Sequence, residues 1–225
     1  MTQLFNVLIV EDYPITVETY KDLLNDLTDY TKSYQFNIDV AYDADTAIYN
    51  INRTMKSSFY DLVFLDISIP RSKDKKIMSG EDLGILLRRK SQGTKIIVVT
   101  GFDNNFRLNN ILKSFKPNGI LIKSDITCNI LTEAIKTVLN DSPFYSKTVM
   151  KLIRNQMSYD IVLDNKDRLI LHQLSIGTRM KELSRIVPMS IPGLERRKYR
   201  LKEAFDVVNE SDRALVEKAQ EAGFV

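Results

Sequence analysis

The chain has 225 residues, 44% of them apolar and 27% charged, which fits a globular protein and excludes a disordered or fibrous one. No apolar run approaches the ~18 residues of a membrane-spanning helix, and residues 1–10 lack the basic flank and small-residue cleavage site of a secretory leader. One cysteine, Cys128, permits no internal disulfide and suits a reducing cytoplasm, and one histidine, His172, rules out a multi-histidine metal centre. The net charge of +3 is unevenly placed: residues 1–150 carry 18 basic and 18 acidic side chains, residues 151–225 carry 14 and 11. That asymmetry hints at an anionic partner for the C-terminal third.

Taken in chain order, residues 4–10 form a near-continuous apolar run, as in a parallel strand buried on both faces, and Glu11-Asp12 follow at once. Pro14 suits a first helical turn, and Val17, Tyr20, Leu23, Leu24 and Leu27 recur at helical spacing behind it. Residues 35–42 alternate like a second strand, 44–55 read as a helix, and Tyr60 to Asp66 as a third strand ending in a carboxylate. A helix over 79–90 with Ser79 as its cap, the strand KIIVVT over 95–100, a helix over 104–115, a short strand over 119–122 and a helix over 126–139 complete the pattern. Five strands alternating with five helices predict an α/β fold, a doubly wound five-stranded parallel sheet of the flavodoxin-like type, over residues 1–140. Asp141-Ser142-Pro143 then breaks the helix, residues 144–160 read as a mixed helical connector, and 141–162 as a linker. Helical patterns over 165–174, 178–186, 190–205 and 210–222 predict a second, all-α domain of four helices over 163–225.

In open α/β sheets the chemistry sits at the C-terminal strand ends. A single strand ending in an aspartate is more often a cap than a reactive group, but here Glu11, Asp12, Asp66, Thr100 and Lys123 all fall at such ends. The carboxylates would repel one another and raise each other's pKa unless a cation offsets them, and oxygen-only ligands with room for water favour Mg²⁺. A lysine and a hydroxyl beside such a metal suit phosphoryl transfer, by neutralising and hydrogen-bonding the phosphoryl oxygens. No Gly-rich phosphate loop is present.

Val10-Glu11-Asp12, Leu65-Asp66 with Pro70, Val98-Val99-Thr100-Gly101 and Gly119 to Lys123, in order, resemble the receiver domain of two-component response regulators. The resemblance implies that Asp66 accepts a phosphoryl group from a sensor histidine kinase. It assigns Mg²⁺ to Glu11, Asp12, Asp66 and the Ser68 backbone carbonyl, and the phosphoryl group to Thr100 and Lys123. It implies no enzyme beyond self-phosphorylation and autodephosphorylation. Departures are Ile120 at the position of the family's aromatic switch, Ser124 where a proline follows the lysine, and a segment of nine residues, 71–79, between Pro70 and Gly80. That segment is longer than in the family and holds Arg71, Lys73, Lys75 and Lys76; it reads either as a solvated loop or as one that contacts the kinase or shields the phosphate.

In the second domain, 178–186, a turn at Pro188-Met189 and 190–205 have helix-turn-helix spacing. Leu194, Leu201 and Phe205 form an inward stripe, with Arg196, Arg197, Lys198, Arg200 and Lys202 on the remainder. A charge run of this kind is usually a solvated face, but this one falls on the helix that the motif would place in the major groove. Met180 to Leu183, Met189 to Val207 and Ala214 to Val225 resemble the LuxR/NarL-type DNA-binding domain. That resemblance implies DNA contact by Ser190, Glu195, Arg196, Arg197, Lys198, Arg200 and Lys202, and a dimer contact at Leu215 and Val216. Gly193 stands where a threonine is common. The expected protein is a phosphorylation-controlled transcription regulator, cytoplasmic, bound to double-stranded DNA as a homodimer and to no membrane. A receiver-based protein-interaction module without specific DNA binding is the alternative, and a phosphatase acting on other substrates a weaker third.

Overall fold

The computed structural model describes residues 2–54, 59–101, 105–158, 161 and 163–225. The chain folds into two compact units, residues 1–103 with 111–149, and residues 104–110 with 150–225. Along the chain, β1 (Gln3–Val10), α1 (Pro14–Thr31), β2 (Tyr34–Ala41), α2 (Ala44–Thr54), β3 (Leu62–Asp66), α3 (Gly80–Lys90), β4 (Lys95–Thr100), α4 (Asn105–Phe115), β5 (Gly119–Ile122) and α5 (Cys128–Leu139) alternate as expected. Met55, Asn104 and the last residues of the expected 144–160 connector fall outside the described residues.

The sheet is parallel, with order β2-β1-β3-β4-β5-β6. It therefore has six strands rather than the predicted five. The sixth, β6 (Phe144–Tyr145), lies in the segment read as a helical connector, and helix α6 (Lys147–Ser158) follows it. Two residues carry no periodicity to read. What makes the strand is backbone pairing: Phe144 N donates to Asn118 O at 3.0 Å and Ser146 N to Ile120 O at 3.0 Å. The order of the strands reverses between β1 and β3, the place where such folds open a crevice at the strand ends.

Side chains alternate across the strands. Val7, Ile9, Leu62, Phe64, Ile97, Val99 and Leu121 share one core with Val17, Tyr20 and Leu24 of α1 and Leu131, Ile135 and Val138 of α5. The alternate residues Leu8, Val10, Val63, Leu65, Ile96, Val98 and Ile120 are buried too, so both faces of the sheet are covered. Pro14 opens α1 without a side-chain cap, whereas Thr127 caps α5 by accepting from Ile130 N. A short 3₁₀ turn, Lys123–Asp125, separates β5 from α5.

In the second unit, α7 (Asn165–Ser175), α8 (Met180–Ile186), α9 (Ile191–Ala204) and α10 (Asp212–Glu221) enclose a core of Leu171, Leu183, Leu194, Leu201, Phe205, Leu215 and Phe224. Asp164 and Asp167 form a capping box at the start of α7, and Ser190 and Ser211 cap α9 and α10. Met189 packs over Gly193: a Cβ there would lie 2.9 Å from Met189 Cγ. Among the described residues no helix is long and apolar enough to cross a membrane.

Candidate functional site

β1 delivers Glu11 and Asp12 to the crevice, and Glu11 N keeps the ladder going by donating to Ala41 O. β3 brings Asp66 alongside. Oxygens of Glu11, Asp12 and Asp66 lie within 4.8 Å of one another. Lys123 reaches in from the end of β5: its Nζ lies 2.8 Å from Asp66 Oδ2 and 3.1 and 3.0 Å from the two oxygens of Glu11. The other oxygen of Asp66 accepts from Ser68 N at 2.9 Å, which turns the chain sharply after the strand. Thr100 is fully buried at the end of β4. The four side chains Glu11, Asp12, Asp66 and Lys123 are thus brought together, with the Ser68 backbone beside Asp66.

The electrostatics follow from three acids against one base. Burial pushes the Glu11 carboxyl up, the neighbouring Asp66 charge adds to that, and the Lys123 hydrogen bond only partly offsets it. Burial pulls Lys123 down, but its bonds to Asp66 and Glu11 outweigh that and hold the ammonium above its usual range. Asp12 Oδ1 is buried without a hydrogen-bond partner in the protein. A cluster with two surplus negative charges and an orphaned carboxylate oxygen fits a small, hard divalent cation with oxygen ligands.

Two neighbours carry no signal in the acid–lysine pattern. The ring of Tyr13 lies 5.5 Å from Lys123 Nζ, a cation–π contact, and Tyr13 N donates to Glu11. Its place directly after Glu11-Asp12 was the only clue. Gly80, at the start of α3, lies so close to the end of β3 that a Cβ would sit 2.1 Å from the Asp66 carbonyl oxygen. Ile120 is wholly buried in β5. The turn after Lys123 is held instead by Asp125, which accepts from Ser146 Oγ at 2.6 Å and from Thr148 N and Oγ1 at 2.9 and 2.8 Å.

In the second unit the predicted DNA-facing set divides. Arg197 pairs with Asp164 and Asp167, Lys198 with Glu195 and Asp212, and Lys202 with Asp212 and the Glu210 carbonyl. These three bases tie α9 to the start of α7 and to α10. Arg196 and Arg200 are exposed and carry no ion pair among the described residues, and Tyr199 stands exposed between them. The dimer expectation needs a correction at Leu215, which is buried in the unit's own core; Val216 beside it is half-exposed.

Residues 7–136 match the response regulator receiver domain, and the chain belongs to that family. No curated protein matches its sequence. Among solved structures, RcsB dimers bound to two parallel DNAs share 20% identity over 97% of this chain and 99% of theirs, with a TM-score of 0.62. RcsB from Salmonella enterica serovar Typhimurium, bound to promoter rprA with the phosphomimetic BeF3-, shares 21% over 96% and 98%, also at 0.62. The isolated receiver (REC) domain of that Salmonella RcsB shares 20% over 66% of this chain and 98% of its own, at 0.53. At these identities the likeness speaks for the fold, and it extends over both units.

Proposed function

We propose that this chain is a DNA-binding response regulator controlled by phosphorylation of Asp66. The observation that carries the reading is the convergence of Glu11, Asp12 and Asp66 on one another, with Lys123 bound to Asp66. Glu11, Asp12, Asp66 and the Ser68 carbonyl would hold Mg²⁺, which would neutralise charge on the phosphoryl group. An Asp66 oxygen would attack phosphorus, and the electron pair of the breaking bond would leave with the donor's imidazole. Lys123 would follow the transferred oxygens, and Thr100 would donate to one of them. A sensor histidine kinase is the donor this chemistry implies.

The second unit would bind double-stranded DNA through α9, as a homodimer. The RcsB structures are of dimers and promoter complexes, and the fold they share with this chain supports the reading. Ser190, Glu195, Arg196 and Arg200 would face the duplex, while Arg197, Lys198 and Lys202 would hold α9 in position through their ion pairs. Val216 would remain as the dimer-contact candidate on α10.

The test is a gel shift on genomic fragments, across a salt series, with and without BeF3- and Mg²⁺. Binding that BeF3- strengthens, and that Asp66→Ala makes indifferent to BeF3-, supports the reading. No shift at low salt in either state would leave the chain a receiver-based interaction module.

A further inference from the structure

One buried hydroxyl holds the chain on both sides of Lys123. Ser146, 2% exposed, accepts at Oγ from Ile122 N at 3.2 Å and donates from the same Oγ to Asp125 Oδ2 at 2.6 Å. Its own N donates to Ile120 O at 3.0 Å. The Asp125 carboxylate accepts twice more, from Thr148 N at 2.9 Å and from Thr148 Oγ1 at 2.8 Å. Thr148 stands in the first turn of α6, where a backbone N–H has no partner inside the helix, and Asp125 supplies one from another element. Residues up to Val149, itself buried, belong to the same unit as β5, so the whole clasp lies in the first unit. Ser146 and Thr148 fall beyond residue 136, where the receiver match ends.

The lysine between these anchors depends on them. A lysine has a flexible four-carbon stem, so its ammonium is only as well placed as the backbone it leaves from. Lys123 Nζ meets Asp66 Oδ2 at 2.8 Å and the two Glu11 oxygens at 3.1 and 3.0 Å at once. Yet Lys123–Asp125 is a single 3₁₀ turn, closed by a long 3.4 Å bond from Ile126 N to Lys123 O. Such a turn has poor hydrogen-bond geometry and little stiffness of its own. The bonds from Ser146 and Thr148 stiffen it from outside.

We propose that Asp125 is a positioning residue for phosphoryl transfer to Asp66: with Ser146 and Thr148 it fixes the turn that aims Lys123. This rests on the phosphoacceptor reading of Asp66. With acetyl phosphate as donor, an Asp66 oxygen forms a bond to phosphorus, the P–O bond to acetate breaks, and the electron pair leaves with acetate. Lys123 exchanges Asp66 for the transferred oxygens, while Asp125 touches none of the reacting atoms. Loosening the turn therefore slows the transfer step and leaves donor binding almost unchanged, since a misplacement of about 1 Å is enough to lower a rate. It also frees the acids. An ammonium held on Asp66 and Glu11 repels a divalent cation entering among the same oxygens, so a loosened lysine lets Mg²⁺ bind more tightly. General damage to the fold does the reverse.

The experiment is a double-mutant cycle in the full chain: wild type, Asp125→Ala, Lys123→Met and the two combined, each titrated with Mg²⁺ by calorimetry. Asp125→Ala should tighten Mg²⁺ binding about 2–5-fold and should add nothing once Lys123 is gone. Weaker Mg²⁺ binding, no change, or the same gain in the Lys123→Met background overturns the positioning role. With acetyl phosphate at saturating Mg²⁺, Asp125→Ala should lower kcat about 3–10-fold with KM within about twofold; an unchanged kcat overturns the role as well. Thr148→Val, which removes one of the hydroxyl bonds, should move both readouts the same way by less, and Thr148→Ser should restore them. Should Asp125→Ala not fold, Thr148→Val takes its place in the cycle. If wild type takes up no phosphoryl group, or Asp66→Ala takes up as much, the phosphoacceptor reading fails, while the Mg²⁺ cycle still decides whether Asp125 acts through Lys123.

Discussion

Lys123 and Asp66, 57 residues apart in sequence, are joined by a 2.8 Å ion pair across the ends of two strands separated by β4. The same ammonium lies within 3.1 Å of Glu11. One lysine therefore holds together two carboxylates that would otherwise drive their strand ends apart.

Replacing Lys123 by Met should destabilise the receiver unit by about 1–3 kcal/mol, less than a fully buried pair because the ammonium is partly solvated. Urea unfolding measures the loss, and Mg²⁺ should recover part of it by binding only the folded state. A variant as stable as wild type without Mg²⁺ would show that the acids repel one another only weakly.

Glu11→Gln should do the opposite in the absence of metal. Burial and Asp66 raise the Glu11 pKa above its ordinary 4.5, so the folded state binds that proton more tightly than the unfolded one. Its contribution therefore grows as pH falls through the raised value and levels off below 4.5. Above that raised value the ionised Glu11 is a cost, and Gln should remove both the cost and this pH slope. Midpoints of urea unfolding from neutral pH downward test this, and a titration should show weaker Mg²⁺ binding.

Asp125 has the reverse sign. Burial pushes its carboxyl up, but hydrogen bonds from Ser146 and from Thr148 outweigh that and hold it below its ordinary 3.8. Its stabilisation is present above 3.8 and is lost as pH falls through the depressed value. Asp125→Asn should cost about 1 kcal/mol at neutral pH and flatten that acid limb. Hydrogen exchange should speed up at Ile122 N, which donates to Ser146 Oγ.

Gly80→Ala places a methyl 2.1 Å from the Asp66 carbonyl oxygen and 2.8 Å from Ile67 Cα, both backbone atoms that cannot swing aside. Either α3 or the end of β3 must move. A loss of about 2–4 kcal/mol is expected, with weaker Mg²⁺ binding because the moved backbone carries Asp66. Thermal melts with and without Mg²⁺ read both effects.

Arg196 and Arg197 are adjacent but differently engaged: Arg197 pairs with Asp164 and Asp167, and Arg196 has no ion pair among the described residues. Arg196→Ala should leave the melting temperature unchanged while weakening DNA binding and lowering the salt slope by about one. Arg197→Ala should release Asp164 and Asp167 and lower the stability of the second unit by about 1–2 kcal/mol. Equal effects of the two on DNA binding, with no melting change for Arg197→Ala, would overturn the division.

The sheet and its acids were legible because both rest on local pattern. KIIVVT and the run before Glu11 read as buried strands by their short length and β-branched content, and a residue at a strand's end has a known address once the sheet is parallel. β6 was not legible, because a two-residue strand is defined by the partner it pairs with. Nor could the basic residues of α9 be sorted from the sequence. Arg197 and Lys198 look as free as Arg196 until Asp164 and Asp212, 33 residues before and 14 after, are brought beside them. Leu215 was misplaced for a related reason: a terminal helix shows an apolar stripe whether that stripe meets a partner or its own core.

β6 also changes what the edge of the sheet offers to another chain. Without it, β5 would end the sheet with unpaired N–H and C=O groups, a template on which a strand of another molecule could grow. β6 covers Gly119 and Ile120 and is itself a poor template. It is two residues long, Pro143 before it has no N–H to offer, and Ser146 after it spends its hydroxyl on Asp125. The strand is a stopper on the sheet's edge, and removing residues 143–146 should make the protein prone to fibrous aggregation under conditions where the intact chain stays dispersed.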